Sequence, residues 1–71
     1  MSASFRTIGL IGKYNSPDIV DPLLRLAGFL EGRGVQVLLD RLTAGHVGQT
    51  RYTVLPLEDV GKQADLAVVI G

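Results

Sequence analysis

Gly9-Leu-Ile-Gly12-Lys13 is the stretch of this 71-residue chain whose residue types best suit chemistry. Glycine leaves main-chain N–H groups open to a phosphate, and a neighbouring lysine adds positive charge. The run is not a P-loop, which needs GxxxxGK[ST], because Tyr14 follows Gly12-Lys13. It also fails the dinucleotide fingerprint GxGxxG, because Tyr14 and Pro17 hold the places of the later glycines. Gly12 therefore reads either as a phosphate-approach residue or as a plain turn from strand to loop. Asp40 has two readings as well. An acid at the end of a second strand binds ribose hydroxyls in dinucleotide-binding folds. Without the glycine fingerprint, a solvated strand-end carboxylate is the expectation. His46, between Gly45 and Val47, is expected on a surface loop rather than in a catalytic pair. A phosphoacceptor receiver domain wants an acidic pair where Gly12-Lys13 stand. No nucleophile–base pair and no carboxylate pair can be assembled from the rest.

Composition narrows the chemistry further. With no cysteine, thiol catalysis and the usual structural zinc sites are out, and one histidine excludes a multi-histidine metal site. Seven basic and seven acidic residues balance, which argues against a general nucleic-acid binder. A 46% hydrophobic content argues against disorder. No apolar run approaches the roughly 20 residues that span a bilayer. Met1 to Arg6 lacks the layout of a signal peptide. A soluble, cytoplasmic protein is expected, with no nucleic-acid or membrane partner.

The elements that must carry these residues follow from hydrophobic spacing. Phe5 to Gly12 reads as a strand buried on both faces, as in a parallel sheet. The polar stretch to Asp18 favours a turn. Ser16 with Pro17, or Asp21 with Pro22, can start a helix. A helix begun at Ser16 would hold Pro22 inside it and lose a backbone bond, at about 3 kcal/mol. An irregular first turn and a regular helix from about Asp21 to Arg33 are therefore expected. Val20, Leu23, Leu24, Ala27 and Leu30 form its inner stripe, with Leu26 at the edge. Arg25, Glu31 and Arg33 belong to its solvated side. Gly34 suits the left-handed residue that closes a helix. Val35 to Asp40 is a second strand. Arg41 to Leu55, with Gly45 and Gly48 and weak periodicity, reads as a loop with at most one helical turn. Leu57 to Ala64 is a short helix facing inward through Leu57, Val60 and Ala64. Asp65 to Ile70 reads as the most clearly buried strand, with Asp65 as a strand-start turn residue.

This order, β-α-β-(α)-β, is that of a Rossmann-like α/β domain with a parallel sheet and right-handed crossovers. Three parallel strands need helices on both faces, and only one convincing amphipathic helix is present. Ligands of open parallel sheets sit beyond the carboxyl ends of the strands, where Gly71 stands. The expectation is an incomplete domain, the N-terminal part of a larger protein. The alternative is a self-contained, non-catalytic α/β module with one face covered by a partner.

The run Leu57-Glu-Asp-Val-Gly-Lys-Gln-Ala-Asp-Leu-Ala-Val-Val-Ile-Gly71 closely resembles the segment that leads into the GGDG motif of bacterial NAD kinases. Phe5 to Lys13, and the helix ending at Gly34 before Val35-Gln-Val-Leu-Leu, resemble that family's N-terminus. The resemblance is weakest from Arg41 to Pro56. It implies phosphorylation of the adenosine ribose 2′-hydroxyl of NAD, giving NADP. The implied donor is ATP or polyphosphate, with Mg²⁺ or another divalent metal. It also implies an all-β second domain outside these residues and a homodimer or homotetramer. Gly71 would be the motif's first glycine. The motif's aspartate, the base, would fall two residues beyond it, so no catalytic residue is assigned within the chain. In a 2-1-3 strand order Gly12 and Lys13 lie beside the third strand and face the donor's phosphates. These 71 residues alone are expected to be inactive and only weakly folded.

Overall fold

The computed structural model describes residues 6–13, 17–48 and 50–71. Four strands form one sheet, β1 (Thr7–Gly12), β2 (Gln36–Asp40), β3 (Thr53–Leu55) and β4 (Leu66–Ile70). Three helices connect them, α1 (Val20–Gly32), α2 (Arg41–Val47) and α3 (Leu57–Gln63). Every pairing is parallel and the order is β3-β2-β1-β4. The expected α/β class and the neighbours of β1 hold. The segment read as a loop, Arg41 to Leu55, instead contains α2 and the outer strand β3.

β1 reads as a two-faced strand because both of its faces are covered. Ile8 and Leu10 pair with Val37 and Leu39 and pack beneath Leu23 and Ala27 of α1. Gly9 and Leu38 point the other way, toward α3, where Val60 is fully buried. A Cβ on Gly9 would lie 2.5 Å from Val60 Cγ1, so a glycine is what lets α3 settle on the sheet.

α1 begins after a 3-10 turn at Pro17–Ile19, the irregular start that the two prolines call for. Ile19 occupies the cap position and contributes no side-chain bond, so Asp21 lies in the first turn rather than capping it. Ser16 lies outside the described residues, as does Phe5 at the start of the expected first strand. Pro22 falls in the first turn, where no intrahelical partner awaits its missing N–H. The helix closes on Gly34 at φ +81°, with Gly34 N–H donating to Glu31 O and Val35 N–H donating to Leu30 O. That paired closure is the Schellman arrangement. The buried stripe is centred slightly differently from the expectation. Leu26 and Leu30 pack on the core, whereas Leu24 stays 40% exposed.

Two further expectations need correction. β4 is an edge strand rather than a buried one. Its Val68 and Ile70 pack on the α1 side, while Ala67 and Val69 lie exposed on the opposite face. No described helix covers that second face beyond β1, which leaves Val69 59% exposed. Val60 of α3 and Ala64 at its C-terminal cap turn inward, but Leu57 does not. Asp65 does serve at the strand start. It accepts from the Arg6 and Thr7 N–H groups at 2.9 and 3.0 Å, and its own N–H donates to Thr7 O.

Candidate functional site

The chain runs from β1 outward to β2 and β3, then crosses back over β1 to reach β4 on the other side. Strand order therefore reverses between β1 and β4, and open parallel sheets bind ligands at such a reversal, beyond the carboxyl ends. Gly12 and Lys13 leave β1 at that point, and Gly71 leaves β4 beside them. Lys13 N–H donates to Ile70 O at 2.7 Å, which ties the two exits together. A Cβ on Gly71 would sit 2.5 Å from Lys13 Cβ, a stem atom that cannot swing aside. Gly71 is thus a glycine of close approach. The three residues singled out by the sequence, Gly12, Lys13 and Gly71, meet on one rim.

Gly12 is fixed from the other flank. Its N–H donates to Thr43 Oγ1 at 2.9 Å, and a Cβ on it would crowd Ile19 Cδ1 at 3.3 Å. Thr43 is buried in the first turn of α2. Asp40, at the end of β2, caps the same turn through Oδ2, which accepts from Thr43 N–H at 3.5 Å. Asp40 is not the solvated carboxylate expected from sequence. It is 4% exposed, and its Oδ1 is buried with no hydrogen-bond partner.

These groups border a cleft of about 230 Å³ at the carboxyl ends of β1 and β2. Gly12, Lys13, Asp40 and Thr43 supply its polar part, with Leu42 and Leu57 among the apolar walls. His46 lines the cleft from the last turn of α2, half-buried rather than on a surface loop. Thr43 is the site residue that sequence reasoning missed. An Asp followed three residues later by Thr is compatible with a capped helix start, but the bond to Gly12 spans 31 positions.

The clearest charge effects lie away from this cleft. The Arg51 guanidinium, bonded through two nitrogens to the Glu31 carboxylate, holds Glu31 below its ordinary pKa and raises that of Arg51. The backbone N–H groups of Arg6 and Thr7 lower the pKa of Asp65. Arg25, Glu31 and Arg33 are on the solvated side of α1 as expected, and the Arg33 guanidinium lies 4.7 Å from the Phe29 ring centre. Among the described residues no helix is long and apolar enough to cross a membrane.

No protein-family model matches the chain. Curated relatives do. It is 60% identical over 70 residues to an NAD kinase of Nitrosomonas europaea, covering 99% of this chain. It is 49% identical over 71 residues to an NAD kinase of Nitrosospira multiformis, and 46% identical over 72 residues to one of Aromatoleum aromaticum. Both of the latter alignments cover the whole chain. In each case the chain spans 24% of the relative's length, at its N-terminal end.

Proposed function

We propose that this chain, which belongs to the NAD kinase family and corresponds to its N-terminal quarter, builds the first part of that enzyme's nucleotide-binding α/β domain. The enzyme transfers a phosphoryl group from ATP or polyphosphate to the adenosine ribose 2′-hydroxyl of NAD, making NADP. Similarity along the whole of this chain to the N-terminal quarter of NAD kinases carries this reading. The meeting of Gly12, Lys13 and Gly71 at the strand-order reversal supports it.

Phosphoryl transfer depends on positioning and on neutralising charge. In this reading, the main chain at Gly71 and Gly12 comes close to phosphate oxygens because neither residue has a Cβ. The Lys13 ammonium offsets the negative charge of the donor's phosphates. The acceptor 2′-oxygen attacks the terminal phosphorus, the bond to the leaving phosphate breaks, and the 2′-hydroxyl proton passes to a carboxylate. That carboxylate, in the motif that Gly71 would begin, is not among these 71 residues. The family resemblance also brings a divalent metal. The described residues do not fit a metal cage, since no three His, Asp or Glu side chains come together among them, and no step here runs through one. The reading includes a cytoplasmic location, an all-β second domain and a homodimer or homotetramer.

The test is NADP formation from NAD and ATP by the full-length kinase that contains this chain. Lys13→Ala should raise the apparent KM for ATP by roughly ten- to a hundred-fold, the range for a charged hydrogen bond. Unchanged KM and kcat would remove Lys13 from the site. No NADP from the wild type would refute the function.

A further inference from the structure

Asp40 has no assigned task, yet its setting is unusual. A carboxylate this buried is costly unless each oxygen finds a donor. Here Oδ2 has one long bond of 3.5 Å and Oδ1 has none. The orphan oxygen belongs to a residue that lines the cleft beside Gly12 and Lys13. A volume of about 230 Å³ is several times the roughly 30 Å³ that a water occupies in the liquid, and it has room for a sugar ring. Leu42 and Leu57 stand 73% and 57% exposed at this cleft, apolar surface that a sugar and its base would cover.

Resting on the proposed function, we infer that this cleft is a ribose subsite, in which Asp40 Oδ1 accepts a hydrogen bond from a hydroxyl of a bound adenosine nucleotide. The phosphate end of that nucleotide then points along the rim toward Lys13 and Gly71. The three strand ends involved are neighbours, so the rim from Asp40 to Gly71 is about 10 Å wide. A hydroxyl fits better than a bare cation. Asp40 offers a single free oxygen, no three metal-binding side chains gather among the described residues, and much of the wall is aliphatic. Both ATP and NAD carry the required adenosine ribose, and the experiment separates them.

Calorimetric titration of the full-length kinase provides the test. Asp40→Asn replaces the accepting oxygen with a donor at nearly constant shape. Asp40→Ser keeps a good helix cap while removing the oxygen. Both should weaken binding of one nucleotide by roughly ten- to a hundred-fold, the range for a hydrogen bond to a charged group. For the wild type, the 2′- or 3′-deoxy form of that nucleotide should lose a similar factor, and for Asp40→Asn it should lose little more. A loss confined to ATP and its deoxy forms places the donor's ribose in the cleft. A loss confined to NAD and its 3′-deoxyadenosine form places the acceptor's ribose there. The inference is overturned if wild-type kinase binds the deoxy forms as tightly as the parents. It is also overturned if folded Asp40 variants bind both nucleotides normally, or if their defect is cured by raising Mg²⁺. A wild type that makes NADP while any of these holds removes this inference alone. A wild type that makes none removes the kinase reading with it.

Discussion

Gly9→Ala gives the sharpest check on how α3 sits against the sheet. A strand glycine is ordinarily a liability, and replacing it with alanine gains about 0.5–1 kcal/mol. At Gly9 the new methyl would lie 2.5 Å from Val60 Cγ1, about 1 Å inside a favourable carbon–carbon contact. Val60 is fully buried and β-branched, and a helix leaves it essentially one rotamer, so it cannot turn away. α3 must lift instead, and overpacking of this kind costs about 1–3 kcal/mol. The net expectation is a loss of about 1–2 kcal/mol, a large share of the roughly 3–5 kcal/mol that a domain this small can hold. Val60→Ala alone removes two buried carbons and should cost about 2 kcal/mol with its cavity. In that background the Gly9 methyl has room, so Gly9→Ala should reverse sign and stabilise. Urea titration of the 71-residue chain followed by circular dichroism, with sucrose added to hold the wild type folded, reads all four forms of the cycle. A higher urea midpoint for Gly9→Ala in the wild-type background, or the same shift in both backgrounds, would refute the packing argument.

Thr43→Val keeps the shape of Thr43 but removes the acceptor for Gly12 N–H, and should cost about 1–3 kcal/mol. Faster hydrogen exchange at the Gly12 amide, with Thr43→Ser close to wild type, is the expected signature, and unchanged exchange would contradict it. Asp65 has a lowered pKa in the fold, so its contribution is present above the ordinary carboxylate range and fades as pH falls through its folded value. The stability gap between wild type and Asp65→Ala should therefore be widest near neutrality and should shrink in acid. A gap that is the same at pH 7 and pH 3 would exclude the carboxylate as its source.

Strong, local signals were legible in the sequence. Ile8, Leu10, Val37, Leu38 and Leu39 mark central strands because residues buried on both faces leave aliphatic runs. Gly34 marks the end of α1 because a left-handed closure needs glycine. β3 was not legible, since it is a three-residue edge strand with Thr53 and Val54 exposed, too short to show a pattern. α2 buries only Thr43, a polar residue, so it lacks an apolar stripe. The exposure of Leu24 and Leu57 depends on where each helix axis sits, which spacing alone leaves free within one residue. At the candidate site, the meeting of the strand-end glycines and Lys13 was legible because the carboxyl ends of neighbouring parallel strands share one edge of the sheet. The state of Asp40 was not. Its burial follows from α2 turning back over β2, and α2 itself escaped the sequence reading.

The outer side of β4 has one further consequence. Its main-chain donors and acceptors on that side face no described strand, and Val69 stands exposed alongside them. An extended segment from another molecule can pair there as readily as a neighbour from the same polypeptide. Handled as a separate piece, these residues would therefore be prone to associate through this border. Dilution would keep them dispersed more effectively than a change of pH, because backbone amides and aliphatic carbons do not titrate.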